Sequence, residues 1–164
     1  IRGQVRLRPP VLSRFSCDTE VLRKDTNEAV RHLADVDLAY CDPPYNQHPY
    51  GSNYFMLNLI TEYVEPIEVS KVSGIPTDWN RSSYNKRHAA LTALVDLITN
   101  TDAKFILLSF NNEGFVEPSE LRSVLSSMGT LDEVEIPYNT FRGSRNLKGR
   151  NIHVTEQLYL LERE

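Results

Sequence analysis

Two adjacent prolines, Pro43 and Pro44, close the short apolar run Val36 to Cys41. Neither proline has an N–H for a sheet ladder, so a strand over Val36 to Cys41 must stop at Asp42. The run is too short for a core helix and suits a strand buried within a parallel sheet. The prolines stiffen the turn that follows and leave their carbonyls free as acceptors. Asp42-Pro43-Pro44-Tyr45 therefore places a carboxylate, a fixed carbonyl and an aromatic ring in one rigid turn.

The rest of the chain supplies the alternation that such a strand requires. Glu20 to Arg23 reads as a short strand, and Asn27 to Leu33 as a helix with Thr26 as its N-cap. Tyr54 to Val64 has apolar residues at helical spacing and stops before Pro66. Residues 68 to 86 are polar and irregular. Arg87 to Ile98 is the clearest helix, with Ala90, Leu91, Leu94, Val95 and Ile98 on one face. Lys104 to Phe110 is the clearest buried strand. Pro118 to Met128 reads as a helix ended by Gly129, and Leu131 to Tyr138 and His153 to Leu161 as strands around a polar loop. This order predicts an α/β domain with a mostly parallel sheet and an antiparallel hairpin at its C-terminal end. In such folds, ligands bind at the carboxyl ends of the strands. Asp42 to Tyr45 and Asn111 to Gly114 both follow strands, so both are expected at one crevice.

Composition narrows the class. The chain has 164 residues, 40% apolar and 24% charged, enough for one catalytic domain spanning residues 1–164. No apolar run is long enough to span a bilayer, and the arginine-bearing stretch Ile1 to Leu12 lacks the apolar core of a secretory signal. The net charge of −4 excludes a wholly basic nucleic-acid module but leaves room for a local basic stripe. Cys17 and Cys41 are the only cysteines, as expected in a reducing, cytoplasmic setting. The four histidines are scattered and predict no metal site.

The turn suits methylation of an exocyclic amino group. The lone pair of such a nitrogen is delocalised into the base and is a poor nucleophile. Two acceptors aimed at its N–H bonds draw it toward tetrahedral geometry. The Asp42 carboxylate and the Pro43 carbonyl would be those acceptors, with Tyr45 stacking on a base taken out of its helix. Proton loss can follow methyl transfer, so Asp42 acts as an oriented acceptor rather than a strong base. The alternative is an ordinary proline turn.

Asp37-Leu-Ala-Tyr-Cys-Asp-Pro-Pro-Tyr-Asn-Gln-His-Pro-Tyr-Gly-Ser-Asn-Tyr54 resembles the catalytic motif of bacterial DNA adenine methyltransferases of restriction–modification systems. The resemblance continues through Lys71 to Asn80, Leu107 to Gly114 and Tyr138 to Asn146, and covers most of the chain from Asp25 onward. It implies a Rossmann-like methyltransferase sheet, S-adenosylmethionine as donor, a flipped adenine in double-stranded DNA as acceptor, and a cognate restriction endonuclease as a partner. It also implies Asp42, Pro43, Pro44 and Tyr45 as the catalytic turn, with Asp42 beside the cofactor as well.

The chain departs from the family in one respect. A glycine-rich loop of the Phe-x-Gly-x-Gly kind normally precedes the catalytic motif, whereas Gly3 is the only glycine before Gly51 here. With Ile rather than Met at its start, the chain reads as the C-terminal portion of a longer catalytic domain, incomplete at its N-terminal side. An exposed apolar strand edge, a tendency to aggregate and weak cofactor binding follow as expectations.

Asp25 lies where an acidic residue of the family approaches the cofactor's adenine; the alternative is a helix-start aspartate favoured by the dipole. Asn111 and Asn112 are expected to flank the catalytic turn, and with Asn46 are candidate DNA contacts. Arg142 to Arg150 holds four cations and no acid, so Arg142, Ser144, Arg145 and Lys148 are candidate phosphate contacts, or a solvated hairpin loop. Arg81 and Tyr84 mark a second candidate DNA surface, although Trp79 and Tyr84 serve equally well as packing.

The leading reading is an adenine-N6 DNA methyltransferase. A cytosine-N4 enzyme or an RNA enzyme shares the turn chemistry, and a catalytically silent DNA-binding remnant is the alternative from another class. The DNA recognition sequence is not legible here.

Overall fold

The computed structural model describes Arg6, residues 8–139 and residues 153–163. The path to the sheet opens with α1 (Thr26–Ala29), continued by a 3-10 turn over Val30–His32. Its N-cap is Asp25 rather than Thr26: the Asp25 carboxylate accepts from the Glu28 N–H at 3.2 Å. A carboxylate at this position satisfies an orphan donor and meets the positive end of the helix. Residues 20–23, expected as a strand, are irregular, and Val21 is 88% exposed. A lone extended segment with no neighbour to hydrogen-bond gains nothing from being a strand.

β1 is Val36–Cys41, ending where the prolines dictate. The single helix expected from Tyr54 is instead α2 (Tyr50–Asn53) and α3 (Phe55–Glu62), separated at Tyr54, whose φ of −110° and ψ of 12° leave the helical region. Tyr63, in the left-handed region at φ 53°, ends α3. After the irregular segment comes a 3-10 turn, Ser83–Asn85, and then α4 (Ala90–Asn100). α4 starts three residues later than its periodicity suggests because Lys86 to Ala89 close a separate turn, with the Ala89 and Ala90 N–H groups both on the Lys86 carbonyl. Leu94, Leu97 and Ile98 form its buried face. β2 (Ala103–Asn111), α5 (Pro118–Ser126, opened by Pro118), β3 (Thr130–Asn139) and β4 (His153–Glu162) complete the order.

The sheet runs β1-β2-β4-β3. β1 pairs parallel to β2, from Val36 opposite Ala103 to Cys41 opposite Leu108. β4 is antiparallel to both β2 and β3. Among the described residues the sheet is therefore mixed, with one parallel pair and two antiparallel ones, where a mostly parallel sheet was expected. α4 is the crossover that a parallel pair requires; β3 and β4 form the antiparallel pair anticipated at the C-terminal end.

One face of the sheet carries Ile106 and Leu108 of β2 opposite Leu161 and Tyr159 of β4. These residues pack with the apolar sides of α4 and α5 into one core, together with Leu121 and Leu125. The other face is barer. Leu38 and Tyr40 are 53% and 59% exposed, and Val134 is 57% exposed. β1 is thus half-covered rather than buried on both sides. Both helices that pack on the sheet lie on the same face, and the outer edge of β1 pairs with no described strand. No helix among the described residues is long and apolar enough to cross a membrane.

Candidate active site

Asp42 leaves the carboxyl end of β1, and Pro43 behind it is buried. Three contacts hold the turn that follows. The Tyr45 ring meets Phe110 edge-on, with centroids 6.3 Å apart and planes at 68°. The Tyr45 carbonyl accepts the Phe115 backbone N–H at 2.8 Å. The Asn46 carbonyl accepts the buried Asn85 side-chain amide at 2.7 Å. Within the turn, the Asn46 side-chain oxygen accepts the His48 N–H, which closes an Asx turn.

The end of β2 forms the second wall. Asn111 is 1% exposed. Its amide donates to Glu156 at 3.2 Å, and its side-chain oxygen accepts the Glu113 N–H at 2.8 Å. Asn112 is exposed and brackets β4, exchanging bonds with Thr155 through its own N–H and its side-chain oxygen. The turns after β1 and β2 therefore do meet, as expected of two strands ending at one crevice. Asn111 serves that meeting from inside, because its side chain is enclosed between the Glu113 N–H of the turn and Glu156 of β4.

Electrostatics single out the same place. Partial desolvation, and then the negative charge of Glu156, raise the Asp42 carboxyl above the ordinary aspartate range. Desolvation, then Glu156, Glu113 and Asp42, raise the Tyr45 phenol. Burial likewise raises the Cys41 thiol. Glu156 was missed in the sequence. Its signal was there: an acid in β4 among Val154, Leu158 and Leu160, in a row that is otherwise apolar.

A cavity of about 800 Å³ runs along β1 and has Asp25 and Asp42 both in its wall. Leu38 and Tyr40 supply its apolar floor, with Tyr50, Asn80 and Tyr84 around it. Asp25 is placed there by a polar network between α1 and α4. The Asn27 amide donates to the Ala93 carbonyl at 2.8 Å and to Asp96 at 2.7 Å, and Arg31 donates to the other Asp96 oxygen at 2.5 Å. Asn27 and Arg31 hold the Asp96 carboxyl below its ordinary range. Tyr84 joins this network, donating its hydroxyl to the Asn27 side-chain oxygen.

Tyr84 is therefore a packing residue, 7% exposed, and not part of a DNA-facing surface. A phenol with a buried partner stays inside. Arg81 is exposed, its guanidinium 4.7 Å from the centre of the Trp79 ring. Arg142, Ser144, Arg145 and Lys148 lie outside the described residues.

Comparison with known proteins supports the family resemblance read in the sequence. Residues 4–124 match the family model for D12 class N6 adenine-specific DNA methyltransferases. The chain is 30% identical over 161 residues to the Type II methyltransferase M.NlaIII of Neisseria lactamica, covering 96% of this chain and 47% of that protein. It is 31% identical over 156 residues to the modification methylase StsI of Streptococcus sanguinis, covering 91% of this chain and 23% of that one. The Type II methyltransferase M.FokI of Planomicrobium okeanokoites is 26% identical over 165 residues. The chain thus spans about half the length of the first of these relatives and about a quarter of the second. No solved structure matches it.

Proposed function

We propose that this chain, which belongs to the D12 class of N6 adenine-specific DNA methyltransferases, carries the catalytic turn of an enzyme that methylates adenine-N6 in double-stranded DNA. The observation that carries the reading is one cavity whose wall holds both Asp25 and Asp42. A donor must reach the acceptor turn, and this cavity is the route between a helix-capping carboxylate and the reacting one.

The residues present fit S-adenosylmethionine. The cavity has an apolar floor for the adenosine part, with Asp25 beside it. The carboxylates of Asp25 and Asp42 in its wall suit a ligand that carries a sulfonium and an ammonium charge. When bound, the cofactor supplies an electrophilic methyl group. The chain's own part is to prepare the acceptor. The Asp42 carboxylate and the Pro43 carbonyl accept the two amino hydrogens of a flipped adenine and localise the nitrogen lone pair. Tyr45 stacks on the base. The raised proton affinity of Asp42 makes it a stronger acceptor and a place for the proton that leaves after transfer. Asn46, Arg81, Asn112 and the run Arg142, Ser144, Arg145 and Lys148 are assigned to DNA contact.

On this reading the sheet is part of a Rossmann-like methyltransferase fold, and residues 1–164 lie within one catalytic domain. The relatives' names as Type II methyltransferases and modification methylases support a restriction–modification role; a cytoplasmic setting and a cognate endonuclease are what such a role would entail.

Labelled methyl transfer from S-adenosylmethionine to duplex DNA, followed by nucleoside analysis, tests the proposal. N6-methyladenine is the expected product. N4-methylcytosine would move the assignment to the cytosine enzymes. No transfer, together with no heat of cofactor binding in calorimetry, would make the chain a silent DNA-binding protein.

A further inference from the structure

We propose that Glu156 is a positioning residue for the Asp42 turn, an inference that rests on the reading of Asp42 as acceptor for the amino hydrogens. Glu156 lies on β4, opposite Asn111 of β2 and Ile136 of β3. Its neighbours on that face of β4 are Val154 and Leu158, so a carboxylate stands where the strand pattern favours an apolar side chain. A partly enclosed carboxylate is costly unless donors meet it. Here β2 supplies two. Ser109, itself buried, donates its hydroxyl at 2.5 Å, and Asn111 donates its amide at 3.2 Å.

The Asn111 side chain is thereby clamped at both ends. Its nitrogen is on Glu156 and its oxygen on the Glu113 N–H. Its backbone carbonyl accepts the Gly114 N–H at 2.9 Å, which sets the turn that delivers the Phe115 N–H to the Tyr45 carbonyl. A continuous path of hydrogen bonds runs from Glu156 through Asn111 and its turn to the residue three places after Asp42. A carboxylate that merely filled a strand position would not need this path.

The charge of Glu156 acts in the same direction as its geometry. Within the site it bears on Asp42 and on Tyr45. The other ionisable groups around Asp42 are Tyr45 in its own turn and Tyr50 of α2, with Glu113 reaching Tyr45 from the loop after β2. Arg23, Lys24, Asp25 and Asp102 line the same cavity as Asp42, and Arg87 covers the Phe115 ring at 4.8 Å. Glu156 is the acid next to Asp42 that is bonded directly into the scaffold of the turn. Its charge raises the proton affinity of Asp42, and with it the strength of the hydrogen bond Asp42 offers an amine.

The test compares the wild-type chain with Glu156→Gln and Glu156→Asp by carbon NMR titration of the Asp42 carboxyl and by the pH profile of methyl transfer. In E156Q one influence that raises Asp42 is removed, so the Asp42 midpoint and the acid limb of kcat/KM both move to lower pH. Turnover falls roughly tenfold or more as the turn loosens, while KM for DNA stays close to wild type. E156D, which keeps the charge, returns the Asp42 midpoint toward the wild-type value. Should E156Q fold poorly, Ser109→Ala removes one donor to Glu156 and keeps its charge, so turnover falls while the Asp42 midpoint stays near wild type; unchanged turnover in S109A then overturns the inference. An Asp42 titration that is identical in wild type and E156Q overturns the inference. Absence of methyl transfer by the wild-type chain counts against the proposed function; the Asp42 titration does not depend on turnover and still decides the role of Glu156.

Discussion

Phe115 donates its backbone N–H to the carbonyl of Tyr45 at 2.8 Å, and this bond joins the turn after β1 to the turn after β2. The two turns are far apart in sequence and adjacent only because β1 and β2 are parallel neighbours. The Tyr45 ring rests against Phe110 at the end of β2. The groups proposed to receive the amine are therefore held by two strand ends, which gives the precision that the proposed methyl transfer demands.

In the intact enzyme, Asp42→Ala should abolish methyl transfer and leave DNA binding close to wild type, because on the proposed reading the carboxylate acts on the amine and not on phosphates. Loss of one preorganised group of this kind costs about 10²–10³-fold in turnover. Parallel filter binding and single-turnover methylation would check it. Near-normal turnover in the variant would remove Asp42 from the mechanism.

Replacing Arg142 and Arg145 together with Ala should weaken DNA binding and flatten its salt dependence. Each lost phosphate contact lowers the slope of log affinity against log salt by about 0.9. An unchanged slope would return these residues to a solvated surface.

Much of this site was legible in the sequence because proline and glycine act locally. Pro43 and Pro44 fix the end of β1 at Cys41, and Pro118 opens α5. Contacts between distant residues were not legible. Tyr84 looked as suited to DNA as to packing until its hydroxyl was found on Asn27, 57 residues away. Glu156 is an ordinary strand residue until β4 pairs with β2 and brings Ser109 and Asn111 to it. The break between α2 and α3 rests on the backbone of Tyr54 alone, which no periodicity reveals.

Asn27→Ala should detach α1 from α4 and loosen Asp25 at the cavity. The change leaves the Tyr84 hydroxyl without its Asn27 acceptor, at a cost of about 1–3 kcal/mol. Cofactor affinity should fall together with stability, as read by calorimetry and by urea unfolding. The network also has a pH signature. The Asp96 carboxyl is held below its ordinary value by Asn27 first and Arg31 second. A group whose folded value is depressed stabilises the fold above its unfolded value, near 3.9 for an aspartate. That contribution is lost as pH falls from there through the folded value, so Asp96→Asn should flatten the acid side of the stability profile. A profile identical to wild type would show that the network carries no weight.

Gly114→Ala tests the coupling of the two turns directly. A β-carbon at this position would lie 2.6 Å from the edge of the Phe110 ring and 2.9 Å from the Asn111 carbonyl oxygen. The ring cannot swing away freely, because Tyr45 rests against it. The carbonyl cannot retreat either, since it already accepts the Gly114 N–H at 2.9 Å. The added methyl must displace Phe110, Asn111 or the turn itself, and each of these leads to Tyr45. Overpacking of this kind costs about 1–3 kcal/mol. The denaturation midpoint should fall with an unchanged slope, and turnover should fall further than stability alone explains, because the displaced turn holds, through the Phe115 N–H on the Tyr45 carbonyl, the turn that carries Asp42 and Pro43. If the variant loses stability but keeps wild-type turnover under conditions where it is fully folded, the turn after β2 supports the fold without positioning Asp42, and the bond from Phe115 to Tyr45 is structural only.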